Sequence, residues 1–213
     1  MRRFPDRVAA GRELAALLKH YRGRPDVLVL GLPRGGVPVA FEIAQSLQAP
    51  LDVMIVRKLG APGQPELAIG AVASGGVTVF NEGVRAWFDD EAIERVEAAE
   101  RIELERRERA YRGGRPPLRA RNHTVILVDD GAATGATMRA AVRAIRKLEA
   151  KQIVVALPVA SIDAYQMLRY EADEVICIST PRAFYAVGEW YENFAQTTDQ
   201  QVIDLLARAS AFA

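Results

Sequence analysis

Residues 124–137 read TVILVDDGAATGAT. Thr124 to Val128 predicts a β-strand, and its apolar run stops at two adjacent carboxylates, Asp129 and Asp130. A stretch made only of Gly, Ala and Thr follows. Thr137 to Leu148 then carries Met138, Ala141, Val142, Ile145 and Leu148 at helical spacing. Small residues let backbone N–H groups approach a ligand closely, and the helix adds its positive N-terminal end. Gly131, Ala132, Ala133, Thr134, Gly135, Ala136 and Thr137 therefore form a candidate phosphate cradle that uses backbone, hydroxyls and dipole instead of Lys or Arg. A phosphate seated directly on the acid pair would be repelled. Asp129 and Asp130 suit the hydroxyl end of a ligand whose other end is a phosphate, as in ribose 5-phosphate, or a Mg²⁺ bridging such hydroxyls. The plainer alternative is a βα turn in which the Asp residues only cap the helix. Two acids, a loop without bulk and the Thr-Gly-x-Thr ending together favour the ligand site.

Outward from this stretch, strands and helices alternate. Val27 to Leu32, Leu51 to Val56, Ile153 to Leu157 and Glu174 to Ile178 read as short buried strands. Helices are expected from Asp6 to about Tyr21, over Gly36–Leu47 and Ile162–Tyr170, and after Asp199 as N-cap. Residues 57–66, RKLGAPGQPE, have no periodicity and read as a loop. Leu67–Ala73 and Val77–Phe80 read as two strands around Ser74-Gly75-Gly76. From Asp89 to Arg112, fifteen of 24 residues are charged, with acid-first pairs at i,i+4 such as Glu91–Arg95, Glu97–Arg101 and Glu108–Arg112. This predicts a solvated helix docked by one stripe of Val96, Ala99 and Ile102. The alternation calls for an α/β fold with a mostly parallel central sheet flanked by helices. Ligands in such sheets bind at the carboxyl ends of the strands.

The 213 residues are half hydrophobic and 26% charged, the balance of one folded domain spanning 1–213 with the charged helix as an insertion at 89–112. Lys plus Arg number 28 and Asp plus Glu 27, so no overall charge drives the chain toward nucleic acid or an anionic membrane. One cysteine, Cys177, makes no internal disulfide. No signal-like N-terminus and no apolar run of about 18 residues is seen, so the cytoplasm is the expected compartment and no membrane partner is expected.

Two other strand ends carry cations. The first strand runs into Gly31-Leu32-Pro33-Arg34-Gly35-Gly36-Val37-Pro38. Gly31 and Gly36 match the glycines of a P-loop, but Val37 and Pro38 stand where Lys and Ser/Thr are required, and the dinucleotide fingerprint is missing too. What remains is Arg34 beside Gly35 and Gly36 at a helix start: an anion site, or equally a tight turn with a solvated Arg. The second strand ends in Arg57-Lys58, either phosphate contacts or a solvated basic turn. Near the C-terminus, 180–194 concentrates Phe184, Tyr185, Trp190, Tyr191 and Phe194, which suits stacking on a planar ring, core packing or a dimer contact.

The segment VILVDDGAATGAT resembles the signature of type I phosphoribosyltransferases, in which two acids after an apolar strand precede a Thr-Gly-x-Thr phosphate loop. The stretch Pro181–Leu206, with AVGEWYENF, looks like uncharacterised bacterial members. The resemblance implies a Mg²⁺-dependent transfer of ribose 5-phosphate from phosphoribosyl pyrophosphate to a nitrogenous base or similar acceptor, with pyrophosphate released. By the same resemblance Asp129 and Asp130 hold the ribose and Mg²⁺, and Arg34, Gly35 and Gly36 hold pyrophosphate. Arg57 and Lys58 then touch phosphate beside a mobile cover over 59–66. A hood at 178–198 presents Phe184, Trp190 and Tyr191 to the acceptor. Many members are dimers, so a homodimer is expected. The 6-oxopurine members carry an acid just before Thr-Gly. Ala133 stands there in this chain, which speaks against a hypoxanthine or guanine acceptor. Competing expectations are a non-catalytic sensor of phosphoribosyl pyrophosphate or a nucleotide, and a hydrolase or phosphorylase of a ribosyl phosphate.

Overall fold

The structure, a computed structural model, describes residues 3–211. In chain order its strands are β1 (Val27–Gly31), β2 (Leu51–Val53), β3 (Val56–Ala61), β4 (Gln64–Ala73), β5 (Val77–Phe80), β6 (Thr124–Val128), β7 (Gln152–Val159) and β8 (Glu174–Ser179). The α-helices are α1 (Arg7–Leu17), α2 (Gly36–Leu47), α3 (Glu82–Arg85), α4 (Asp90–Arg112), α5 (Ala136–Lys147), α6 (Ile162–Glu171) and α7 (Asp199–Ala209). Five strands form a parallel sheet in the order β2-β1-β6-β7-β8, and β3-β4-β5 form a separate antiparallel sheet.

Strand β6 is central, and every one of its residues is buried. Ile126 and Val128 face a core that includes Leu14, Ile43 and Leu206 from α1, α2 and α7. Val125 and Leu127 face the opposite core with Met138, Ile145 and Leu168 from α5 and α6. A strand covered on both faces has no solvent side, so its apolar residues run without alternation. Truncating one such residue, for example Ile126→Ala, costs ~2–5 kcal/mol.

The topology locates the crevice. From β1 the chain steps outward to β2, whereas from β6 it steps the other way to β7 and β8. The direction of winding reverses between β1 and β6, so the loops that leave their carboxyl ends, 32–35 and 129–135, diverge from a common gap.

Several expectations are corrected. The loop expected over 57–66 is β3 and the beginning of β4. Its glycines and prolines punctuate a hairpin: the register shifts around Gly60, and Gly63 turns the chain with a φ of 74°. The strand expected over Leu51–Val56 breaks at Met54 and Ile55, where the chain leaves the parallel sheet for the antiparallel one. Helix α4 begins after Asp89, whose side chain accepts from the Ala92 N–H, but its buried residues are Ile93, Leu104 and Tyr111, while Ile102 is 68% exposed. Helix α4 lies against β3, β4 and α7, and its docked face includes Glu100, paired with Arg57 on β3, and Glu97 and Arg101, both bonded to Thr78 on β5. An apolar periodicity scan misses such a face. Arg112 bonds Asp52 at 2.9 Å instead of Glu108. Helix α7 is capped by Thr198, one residue earlier than expected, in a reciprocal capping box with Gln201. Among the described residues no helix is long and apolar enough to cross a membrane.

Candidate functional site

Asp129 and Asp130 leave β6 and face the loop that leaves β1. The fit requires glycine. A Cβ on Gly35 would stand 2.0 Å from Asp130 Oδ2, and one on Gly36 would stand 2.5 Å from the Val128 carbonyl oxygen. Backbone of the Arg34–Gly36 turn is therefore pressed against the acid pair. The Pro33–Arg34 peptide is cis.

Two carboxylates side by side in a half-buried gap repel each other. Burial and then the Asp130 charge hold the Asp129 carboxyl well above the usual carboxylate range. Burial also raises Asp130, but Arg7 offsets part of that effect. Arg7 is the residue that sequence reasoning missed. From the first turn of α1, its Nε and Nη2 each reach Asp130 Oδ2 at 2.8 Å, and Nη1 donates to the Ala195 carbonyl oxygen at 2.7 Å. The guanidinium also lies 4.0 Å from the Phe194 ring centroid. An Arg one residue after an N-cap has no signature, because its partners are 123 and 188 residues away in sequence.

The cradle is partly as expected. Ala133, Thr134 and Gly135 have backbone N–H groups without a hydrogen-bond partner among the described residues, and Ala133, Thr134, Ala136 and Thr137 are exposed. Gly135 adopts a φ of 71°, the left-handed conformation that turns the loop into α5. Ala132 is removed from the binding set. It is 6% exposed, its N–H donates to Val159 and its carbonyl accepts from Ser161, because it forms a β-bridge to Ala160. Gly131 packs under the hood, where a Cβ would meet Val187 at 2.6 Å.

The expected cations separate. Successive residues of a strand point to opposite faces. Arg57 accordingly turns to α4 and pairs with Glu100 at 2.6 Å. Lys58 turns the other way, into a cavity of about 470 Å³ between the hairpin and α5 that Thr134, Ala136 and Thr137 also line. Lys58, whose ammonium also meets Glu66 at 3.4 Å, thus borders the cavity that the cradle lines, and Arg57 does not. The acid pair lies outside that cavity. The Arg34 side chain turns from the acid pair toward Asp199, 3.6 Å away.

The hood is corrected as well. Trp190 and Tyr191 are 4% and 3% exposed and form a small core with Phe4, Ala10 and Val159. Neither ring face is open for stacking. Tyr191 acts from below: its hydroxyl donates to the Asp130 carbonyl oxygen at 2.5 Å. Phe4 is bridged to the hood through Phe4 N–H to the Trp190 carbonyl and Glu192 N–H to the Phe4 carbonyl, both 2.8 Å. Phe184, stacked on Trp190 with centroids 6.3 Å apart, stays partly exposed.

No group of three or more His, Cys, Asp or Glu side chains suited to a metal occurs among the described residues. The acid pair could hold Mg²⁺ through Asp129 Oδ2 and Asp130 Oδ1, since Asp129 Oδ1 accepts from the Asp130 N–H and Asp130 Oδ2 is occupied by Arg7. So few protein oxygens suit an ion whose remaining ligands come from substrate and water.

These features define a class: a parallel-sheet α/β domain with an acid pair and a small-residue loop at a reversal in strand order. Comparison with known proteins agrees with it. A family model described as the phosphoribosyl transferase domain matches residues 3–195, and the chain belongs to that family. Two Mycobacterium tuberculosis proteins, from strains CDC 1551 / Oshkosh and H37Rv, bear the provisional name phosphoribosyl transferase. Each is 49% identical over 211 residues, which cover 98% of this chain and 47% of theirs. The chain thus spans about half the length of these curated relatives. A crystal structure of the protein TT1426 from Thermus thermophilus matches with a TM-score of 0.88 and 44% identity, covering 98% of this chain and 99% of that one.

Proposed function

We propose that this domain transfers ribose 5-phosphate from phosphoribosyl pyrophosphate to a nitrogenous base or similar acceptor and releases pyrophosphate. The observation that carries the proposal is the junction of β1 and β6. There an acid pair with its own counter-ion stands beside a loop whose Ala133, Thr134 and Gly135 N–H groups have no partner among the described residues. The 5′-phosphate sits on Ala133–Gly135 and the first turn of α5, with the Thr134 and Thr137 hydroxyls. The ring hydroxyls donate to Asp129 and Asp130. The bond from C1′ to pyrophosphate breaks with its electron pair on the leaving oxygen, and the acceptor nitrogen lone pair forms the new bond to C1′. The acceptor proton passes to solvent. Positive charge that develops on the ribose ring lies next to the two carboxylates, which favour it. Asp129 and Asp130 would hold Mg²⁺, which would help neutralise the charge on the leaving pyrophosphate. Lys58 adds a cation at the phosphate edge, and the β3–β4 hairpin that carries it limits water, which competes as acceptor.

Phe184 remains as an aromatic wall for a planar acceptor. The test is a calorimetric titration with Mg²⁺–phosphoribosyl pyrophosphate followed by a pyrophosphate-release assay across a panel of bases. Binding with release on one base is the expected result. Binding without release on any acceptor would leave a sensor, and no binding would end the reading.

A further inference from the structure

Helix α4 keeps one face that no other described element covers. Glu91, Arg95, Ala98, Ile102, Glu105 and Arg109 are all exposed, and Ile102, of a type that folding usually buries, is 68% exposed. Their spacings alternate between four and three residues, the pattern of a coiled-coil seam, so the six lie in one stripe about 27 Å long. The stripe runs opposite the face that buries Ile93, Leu104 and Tyr111. Among the described residues its ion pairs stay within the helix: Arg95 to Glu91 at 2.7 Å and Arg109 to Glu105 at 3.7 Å. We propose that this stripe docks a second copy of the chain, with the two α4 helices paired antiparallel across a two-fold axis. The homodimer expected from the sequence names no surface; the stripe supplies one.

The order of the charges selects both the partner and its direction. Along the helix the stripe reads acid, base, Ala, Ile, acid, base. Laid antiparallel about residue 100, Glu91 faces Arg109 of the second copy, Arg95 faces its Glu105, and Ala98 faces its Ile102. A two-fold contact repeats each of these pairs. Every charge in the stripe then meets the opposite charge. A parallel pair in register would set each residue against its own copy, with like charges facing at Glu91, Arg95, Glu105 and Arg109. Ala98 is small, so it lets the helices approach and gives the Ile102 side chain a place to pack. Two such Ile–Ala layers form an apolar centre between charged ends. Glu94 and Arg106 flank the Arg95–Glu105 layer and add one charge of each sign. Exposed ion pairs contribute modestly and are screened by salt, and the apolar centre is small, so the pair forms reversibly. The contact needs neither substrate nor metal.

Sedimentation velocity of the full chain over a range of protein concentrations, in about 0.05 M and about 0.5 M salt, tests this. A concentration-dependent dimer that weakens at the higher salt is expected. Ile102→Glu is expected to raise the dimer Kd about tenfold or more, because each substitution in a two-fold contact acts twice. Glu91→Arg and Arg109→Glu are each expected to weaken the dimer too. Together in one chain they are expected to recover most of it, since the exchanged charges face each other again. These side chains are exposed, so the monomer keeps its fold, and melting curves check this. Tyr170→Ala, at a side chain 91% exposed on α6, is expected to leave the dimer unchanged. A monomer at every concentration, a dimer indifferent to Ile102→Glu, or no recovery in the double exchange overturns the proposal.

Discussion

Two clusters of like charge flank the Pro33–Gly36 turn, and the fold treats them in opposite ways. On one side Asp129 and Asp130 are half-buried, pressed on glycine backbone and held by Arg7, whose own side chain is 11% exposed. On the other, Arg34, Arg106 and Arg107 line an open cleft with their N–H groups incompletely used. The Asp130 carboxylate is matched by a buried cation, Arg7, that the protein itself supplies. The acid pair is thus tied to its counter-ion inside the fold, whereas the three guanidiniums, ion-paired to Glu103 and Asp199, keep N–H groups open to the cleft.

The largest effect comes from removing the first cluster. Asp129→Asn with Asp130→Asn is expected to abolish ribosyl transfer, a fall of roughly 10³-fold or more. Asp129→Asn alone, which leaves the Arg7–Asp130 pair in place, is expected to raise the melting temperature at neutral pH. A carboxyl whose pKa is raised in the fold binds its proton more tightly there than in the unfolded chain. The stability this contributes is present below the ordinary value and is lost as pH rises through the window up to the raised one. Asn removes that loss, so melting curves at pH 4 and pH 7 should differ less in the variant. A variant with wild-type turnover would take the acids out of the mechanism.

Breaking only the counter-ion comes next. Arg7→Ala leaves a buried carboxylate unpaired and separates the hood from α1, with an expected loss of ~3 kcal/mol in denaturant unfolding. It also removes the cation that lowers Asp130, so the acid limb of the pH–rate profile should move to higher pH. Arg7→Lys should restore most of the limb but less of the stability, since one ammonium cannot replace contacts to Asp130, Ala195 and Phe194 together. An unshifted limb in Arg7→Ala would reduce Arg7 to a structural strap.

Gly35→Ala sharpens the comparison from the turn between the clusters. Its new methyl collides with Asp130 Oδ2, so a cost of ~1–3 kcal/mol and a rise in KM for phosphoribosyl pyrophosphate are expected. Wild-type stability and kinetics would mean that the turn can retreat. The smallest expected change is Thr137→Ala, which should weaken ribose 5-phosphate binding by ~1 kcal/mol through one lost hydrogen bond. An unchanged dissociation constant would count against the cradle.

Local patterns carried the reading as far as local causes reach. A strand buried on both faces must be apolar throughout, so β1, β6 and β7 could be read from runs of Val, Ile and Leu. A loop that admits a ligand to its backbone must lack bulk, so 131–137 stood out beside its acids, and so did the parallel α/β class. Gly35 and Gly36 were also visible, though not the carboxylate they accommodate. What took the folded chain to decide were the partners brought together from distant positions: Arg7 on Asp130, Arg57 on Glu100 and Arg34 beside α4. Trp190 and Tyr191 illustrate the same limit, since an aromatic residue that stacks on a ligand and one that fills a core share the same chemistry. Only the packing of Phe4 and Val159 around them shows that these two are core. Composition and periodicity report which surfaces a segment must bury, while the choice of partner depends on how the layers close around the sheet.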